Sequence, residues 1–358
     1  VSDSTAPITV IVPSLNAEHT LGEALESVFD QTAPPMEVLV IDDGSTDRSV
    51  AVARSFNSRV RVLRNPSRGP GAARRLGVTE GRGTYVAFID ADDVIEPAKH
   101  EKQLAVLDGG DPYTFVHTGS VLRWSDGSRP SYQRKGSELA TGRCTQVIFE
   151  RNPVCGASTM LRRSLILELG NYDPDLFGTE DFGMSLIAST RCEFVYIPDP
   201  LYVMVQHAEN ITRRLCHMAY YHWLAQERFR RHCPGAFEQL PRVSVQRYMV
   251  EPVLQAVREA YWRRDSTDYM RLLRLAISLA PDDPEMRQLW RRRRLPMKVL
   301  RTWDRMKGEA AQGAGFSSGV PSDTDPSPER QRGVSCAGAR TTGCLREGPV
   351  AGAPGSDG

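Results

Sequence analysis

No stretch of this chain approaches the roughly 20 apolar residues that a membrane span requires. Its first apolar run, residues 8–12, is short and has no basic leader, so no signal peptide is expected. Cysteines are few and dispersed: seven, at positions 144, 155, 192, 216, 233, 336 and 344, with no C-x-x-C pair and no zinc spacing. Such a set predicts a reducing compartment, with most of the thiols acting as small core residues. An excess of one charge is also missing. Lys and Arg total 45 against 44 Asp and Glu, a net charge of +1 that argues for no particular partner. No G-x-G-x-x-G follows the first apolar run, which argues against a dinucleotide oxidoreductase. A nucleotidyltransferase would carry a glycine-rich, arginine-lysine loop there, and Pro13-Ser14-Leu15-Asn16 stands instead. There is no internal repeat and no nucleic-acid recognition module, so no nucleic-acid partner is expected.

What is present is an ordinary globular composition, 40% hydrophobic and 25% charged, in 358 residues. Up to about residue 108, short β-branched runs alternate with helical patterns. Strands are expected at 8–12, 37–41, 60–63 and 84–89. Helices are expected at 18–31, 46–56, 71–79 and 97–107, the last opened by Pro97. Strict β/α alternation means a parallel sheet with helices on both faces, and ligands of such sheets bind at the carboxyl ends of the strands. From 109 to about 210 the pattern is mixed. It has a hairpin at Asp126-Gly127, a strand at 159–161, a helix at 164–169 stopped by Gly170-Asn171, a helix at 180–189, and strands at 194–197 and 202–206.

Asp90-Ala91-Asp92-Asp93 closes the apolar run 85–89. Carboxylates at the end of a buried strand repel one another and are costly to desolvate unless a positive group joins them. Mg²⁺ or Mn²⁺ suits this arrangement, taking one or two carboxylates plus substrate phosphates. The expected chemistry is metal-assisted transfer from a nucleotide-diphosphate compound. A polar turn before a helix accounts for Asp93, but Asp90 still needs a partner of its own.

Three segments occur in order: Ile8 to Asn16 (ITVIVPSLN), Val38 to Asp47 (VLVIDDGSTD) and Phe88 to Asp93 (FIDADD). This order resembles the inverting family 2 glycosyltransferases, over roughly residues 8–210 and most densely in 8–97. The resemblance implies an α/β GT-A fold with a mainly parallel sheet. It gives Asp43 the role of pairing with the uracil of a UDP-sugar, with Pro13, Ser14 and Asn16 on the same rim. Asn16 reads equally as a helix cap, and Leu15 stands where the family often stacks an aromatic. Residues 65–77 resemble the family's glycine-rich loop and arginine helix, where Arg74 reads as a phosphate or base-edge contact or as a solvated side chain. Asp90 and Ala91 fall on the ribose side of the donor and Asp92 on the metal. Leu169-Gly-Asn-Tyr-Asp173 followed by Glu180-Asp181 resembles the family's catalytic element. It makes Asp181 the base, with Glu180 as the alternate, although acids in a first helical turn also serve simply as dipole complements. His207 matches a histidine that reaches the metal or the leaving diphosphate.

The organisation expected is a GT-A domain at 1–210, with a nucleotide-sugar half at 8–108 and an acceptor half at 109–210. A helical appendage at 211–307 and a disordered tail at 308–358 follow. The cofactor is Mn²⁺ or Mg²⁺, the donor a nucleotide-sugar, and the acceptor a glycan, lipid-linked or other hydroxyl. The basic segment 291–307 reads either as an interfacial helix on an anionic membrane or as a packed helix with a solvated basic face. The expected location is cytoplasmic, with the membrane reading placing the chain at the inner face. An inactive sugar-nucleotide-binding scaffold is the alternative from a different functional class.

Overall fold

Among the described residues nine strands form one sheet, in the order β3 (Val60–Arg64), β2 (Pro35–Asp42), β1 (Ala6–Ser14), β4 (Tyr85–Phe88), β8 (Met160–Arg162), β6 (Thr114–Trp124), β9 (Glu193–Gln206) and β5 (Val94–Ile95), with β7 (Tyr132–Gln133) pairing onto β6. The computed structural model describes residues 5–56, 58–206, 215–263 and 269–293. The expected tail at 308–358, His207, and all of segment 291–307 after residue 293 lie outside these residues.

The first half alternates as expected: β1 Ala6–Ser14, α1 Leu21–Phe29, β2 Pro35–Asp42, α2 Ser49–Ser55, β3 Val60–Arg64, α3 Pro70–Glu80 and β4 Tyr85–Phe88. These four strands are mutually parallel, with Val10 opposite both Val38 and Ala87. Ile8, Val10, Ile11 and Val12 are all fully buried, because helices cover both faces of the sheet. On α1, Leu21, Ala24, Leu25 and Val28 recur at helical spacing and are fully buried.

β5 Val94–Ile95 and α4 Lys99–Gly109 follow. Pro97 precedes α4 rather than sitting in its first turn, since Ala98 is the N-cap. Next come β6 Thr114–Trp124, β7 Tyr132–Gln133, α5 Thr145–Arg151, β8 Met160–Arg162, α6 Arg163–Glu168, α7 Glu180–Ser189 and β9 Glu193–Gln206. β8 runs antiparallel to β4 and β6, and β9 runs parallel to β6. The two strands expected at 194–197 and 202–206 are one strand whose register with β6 shifts around Gly119. α6 ends as its sequence suggests: Gly170 and Asn171 both take positive φ, and their N–H groups donate to the carbonyls of Leu167 and Ile166.

The sheet must curl. β4 and β5 are joined by residues 89–93 alone, yet three strands lie between them in the sheet. At about 4.8 Å per strand, four spacings come to roughly 19 Å. The connection is a turn, closed by the Asp93 N–H on the Asp90 carbonyl (3.1 Å), and is too short for a flat sheet. The far edge therefore returns toward α1: the Ile95 N–H donates to Ser27 Oγ (3.3 Å), and Arg123 at the end of β6 pairs with Glu23 of α1 (2.9 Å).

The chain then turns helical: α8 Leu215–His232, α9 Pro234–Glu238, α10 Arg242–Val245, α11 Glu251–Arg263, α12 Tyr269–Leu279 and α13 Pro284–Arg292. A second, smaller core forms here from Val253, Val257, Leu272, Leu273, Met286 and Leu289. Phe229 of α8 instead joins the main core, its ring tilted against Phe149 and edge-on to Phe237.

Candidate active site

The ends of β1 and β2 carry the first part of the site. The Asp43 N–H donates to the Ser14 carbonyl (2.8 Å), which locks the two turns together. Asn16 takes a left-handed conformation (φ 51°) and does not cap α1, whose N-cap is Thr20. Its N–H instead donates to Ser45 Oγ (3.0 Å), and its side-chain oxygen accepts from the Thr46 N–H (2.9 Å). Ser45 and Thr46 are thus spent on this lacing. α2 is preceded by Asp47, whose carboxylate accepts from the Ser49 N–H (2.9 Å). Pro13 is half-buried and Ser14 buried, while Leu15 is 54% exposed at the rim.

The two acids after β2 divide their work. Asp42 is buried, and its carboxylate holds the turn by accepting from the Ser45 N–H (3.0 Å). Asp43 faces the glycine-rich loop and accepts from Asn65 Nδ2 (2.7 Å) and the Gly69 N–H (3.0 Å). A carboxylate offers about four lone-pair sites, so Asp43 keeps capacity for a further donor.

Asp90 finds its partner in Arg74, which is neither solvated nor turned outward. Arg74 is buried on α3 and donates to Asp90 (2.5 Å) and to Glu180 at the start of α7. One guanidinium fork thus joins the end of β4 to the start of α7. The approach requires Gly71. A Cβ there would stand 2.7 Å from the Asp173 carbonyl oxygen and 3.1 Å from the Glu180 Cβ. Burial raises the pKa of Asp90 against the pull of Arg74, and the charges of Asp92 and Asp181 add to the rise. Burial also pushes Glu180 up to about 7, with Arg74 opposing and Asp181 adding.

Asp93 is structural. Its carboxylate accepts from the Tyr202 hydroxyl (2.6 Å) and the Val205 N–H (2.7 Å), fastening the acid turn to β9. Burial, then the charges of Asp90 and Asp92, raise its pKa well above the ordinary value. Ala91 is buried beneath the turn and Asp92 is half-buried.

Asp181 is half-buried in the first turn of α7, where its Oδ1 accepts from the Phe182 N–H (2.7 Å). The backbone of Gly156 lies against it, and a Cβ at 156 would stand 2.3 Å from the Asp181 Cβ and 2.6 Å from Oδ2. Gly156→Ala is therefore expected to displace the Asp181 carboxylate. A displacement near 1 Å costs on the order of 100-fold in turnover. Steady-state kinetics would check this, and a wild-type kcat in the variant would show that the close approach is immaterial. Gly156 and Tyr202 were invisible to sequence reasoning, because neither belongs to a motif and each acts across more than 20 residues of chain.

A divalent cation fits the chemistry of this donor set. The charge of Asp92 raises the proton affinity of Asp90 and of Asp93, while Arg74 pairs with Asp90. Asp90 is held by Arg74 and Asp93 by Tyr202. Among the described residues no group of three or more His, Cys, Asp or Glu could hold a metal.

Comparison with known proteins supplies the context. Residues 9–170 match the family model described as "Glycosyl transferase family 2". An uncharacterized glycosyltransferase of Escherichia coli, YibD, is 27% identical over 231 residues, covering 59% of this chain and 64% of that protein's length. Two solved structures share the fold, at low identity. The Pyrobaculum calidifontis mannosyltransferase PcManGT, in complex with GDP-Man and Mn²⁺, matches with a TM-score of 0.50 and 20% identity over 87% of each chain. Staphylococcus aureus TarS 1-349, in complex with UDP-GlcNAc, matches with a TM-score of 0.50 and 16% identity, covering 80% of this chain and 91% of that one. The fold is that of the GT-A glycosyltransferases, with a helical region after it. Among the described residues, no helix is long and apolar enough to cross a membrane.

Proposed function

We propose, on the premise that residues 9–170 belong to glycosyl transferase family 2, that this chain moves a sugar from a nucleoside-diphosphate donor to an acceptor hydroxyl with inversion at the anomeric carbon. The observation that carries the reading is the Arg74 bridge. It holds the acid turn after β4 and the first turn of α7 at one rim of the sheet, so a donor's diphosphate and an acceptor's hydroxyl can meet there.

Asp43 receives the base, with a UDP-sugar as the donor favoured. Ser14 and Asn16 shape the rim, and Ala91 lets the turn lie close to the ribose. Asp92 and His207 would hold Mn²⁺ or Mg²⁺. When bound, the cation offsets negative charge developing on the leaving diphosphate. Asp181 accepts the proton of the acceptor hydroxyl as that oxygen attacks, and Glu180, pinned by Arg74, aims the turn that carries it. Acceptors of the class expected are glycan or lipid-linked hydroxyls.

Thermal shift against UDP-, GDP- and dTDP-sugars, with Mn²⁺ and then with EDTA, tests this reading. The wild-type chain is expected to be stabilised by one nucleotide class, and by more with Mn²⁺. Asp92→Ala should lose the metal-dependent part alone. Equal donor affinity in wild type and Asp92→Ala, with and without EDTA, would remove the metal role of Asp92.

A further inference from the structure

The outer end of β6 has no part in the chemistry above. It is paired there with β7 on one side and β9 on the other. Leu122 stands opposite both Tyr132 and Met204, so these side chains share one face with Trp124, two residues on. Ser120 and Tyr202, opposite each other, lie on the same face toward the acid turn. There the Tyr202 hydroxyl donates to Asp93 (2.6 Å) and accepts from the Asp90 N–H (3.3 Å). The face thus runs from the acids to the end of β6. It is buried at Ser120 and Tyr202 and half-buried at Leu122, Trp124, Tyr132 and Met204. The rings of Trp124 and Tyr132 are 5.5 Å apart and inclined at 37°. The opposite face turns toward α1, with Val203 and Val205 buried and Arg123 paired with Glu23.

One cation on this face has no anion. The Arg134 N–H donates to the Ser120 carbonyl (2.8 Å), which extends the β7 register by one residue and puts Arg134 on the face of Tyr132. Arg134 is half-buried, and among the described residues its guanidinium has no ion pair and no hydrogen bond. A charge partly removed from water is costly until an opposite charge joins it. Ser120 Oγ, fully buried on the same face, also lacks a hydrogen-bond partner. Burial pushes the Cys155 thiol up to about 12, and the charge of Arg134 opposes that rise. Cys155 precedes Gly156, whose backbone lies against Asp181, so the unpaired guanidinium stands on the side of the proposed base.

We infer that the acceptor is an acidic sugar, its ring seated on Trp124 and Tyr132 and its carboxylate paired with Arg134. The inference rests on the transferase reading and names the acceptor class for it. Sites of this kind combine an aromatic wall with a few placed polar groups that fix orientation. One guanidinium fork matches one planar carboxylate. A phosphate monoester carries close to two charges at pH 7 and calls for a second free cation. The neighbouring arginines are engaged: Arg123 with Glu23, and Arg129 over the Trp124 ring (5.6 Å).

Ligand-observed NMR titration of the full chain with UDP and Mn²⁺ tests the site, since it reads weak binding and needs no turnover. Methyl glucuronide is expected to bind roughly tenfold tighter than methyl glucoside, and tighter than glucose 6-phosphate. Arg134→Gln should bring the glucuronide-to-glucoside ratio close to one. Trp124→Ala should weaken both sugars several-fold and keep the ratio. Thermal melting of each variant reports its fold, and Arg134→Gln decides by itself if Trp124→Ala does not fold. No preference for the glucuronide in the wild type, tighter binding of glucose 6-phosphate, or a preference that survives Arg134→Gln overturns the inference. UDP release from UDP-sugars on adding each methyl glycoside separates this from the underlying reading. Glucuronide binding that depends on Arg134 without UDP release would keep the acidic-sugar site and sink the transferase reading. UDP release with methyl glucoside as well as with the glucuronide, indifferent to Arg134→Gln, would do the reverse.

Discussion

Asp181→Asn is expected to abolish transfer while leaving nucleotide affinity nearly intact. The amide has the shape of the carboxylate but cannot take a proton from an attacking hydroxyl. Loss of a general base typically costs about 10²- to 10⁴-fold in kcat. The fold should survive the change, because the Asn oxygen can still accept from the Phe182 N–H, as Asp181 Oδ1 does now. Glu180 is not free to take over: its carboxylate is buried, paired with Arg74, and accepts from the Gly178 N–H (3.0 Å). Turnover and UDP titration calorimetry on the same preparation would separate the two effects. Wild-type turnover in Asp181→Asn would place the base elsewhere, whereas a parallel loss of UDP affinity would mean that the acid shapes the donor site.

The second large effect is on stability. Arg74→Met is expected to cost about 3 kcal/mol, near the low end for breaking a buried ion pair. The cost arises because two acids lose their shared cation. Glu180 has a side chain only 4% exposed and cannot recover by hydration, while Asp90, at 41%, can in part. Adding Glu180→Gln to Arg74→Met removes the stranded charge and should restore about half of the loss. The pH dependence has a defined sign. Burial already raises the Glu180 pKa to about 7 in the folded protein, and losing Arg74 raises it further. A carboxyl whose folded pKa lies above its unfolded value destabilises at high pH, and that cost fades as pH falls through the folded value. Urea unfolding at pH 8 and pH 6 should therefore show a smaller deficit at pH 6. A loss under about 1 kcal/mol at pH 8 would mean that solvent reaches Glu180 once Arg74 is gone.

Much of the fold was legible because the parallel half is built from local signals. β1, β2 and β4 are short apolar runs buried on both faces, β3 is a half-buried edge strand, and α1 has a regular apolar stripe. Gly170-Asn171 read as a stop and forms one, since both residues tolerate positive φ. The misreadings fall where a distant partner decides. Asn16 reads as a helix cap, but its side-chain oxygen accepts instead from the Thr46 N–H, 30 residues away. Strands 194–197 and 202–206 read as two, but pairing with the long β6 carries them as one strand through Pro198 and Pro200.

The sequence by itself determined the β/α order, the row of acids at the strand ends and the family those motifs resemble, because each depends on residues close together in the chain. Only the tertiary structure decided what each acid does. Asp42, Asp90, Asp93 and Glu180 are held by distant or backbone partners, Asp43 accepts from Asn65 and Gly69, and Asp181 accepts from the Phe182 N–H beside it. The physical reason is that a buried carboxylate must find a donor or a cation, and here those partners are Arg74, Tyr202 and backbone N–H groups. Most of them are brought near by a curl of the sheet and a helix crossing that no local pattern encodes.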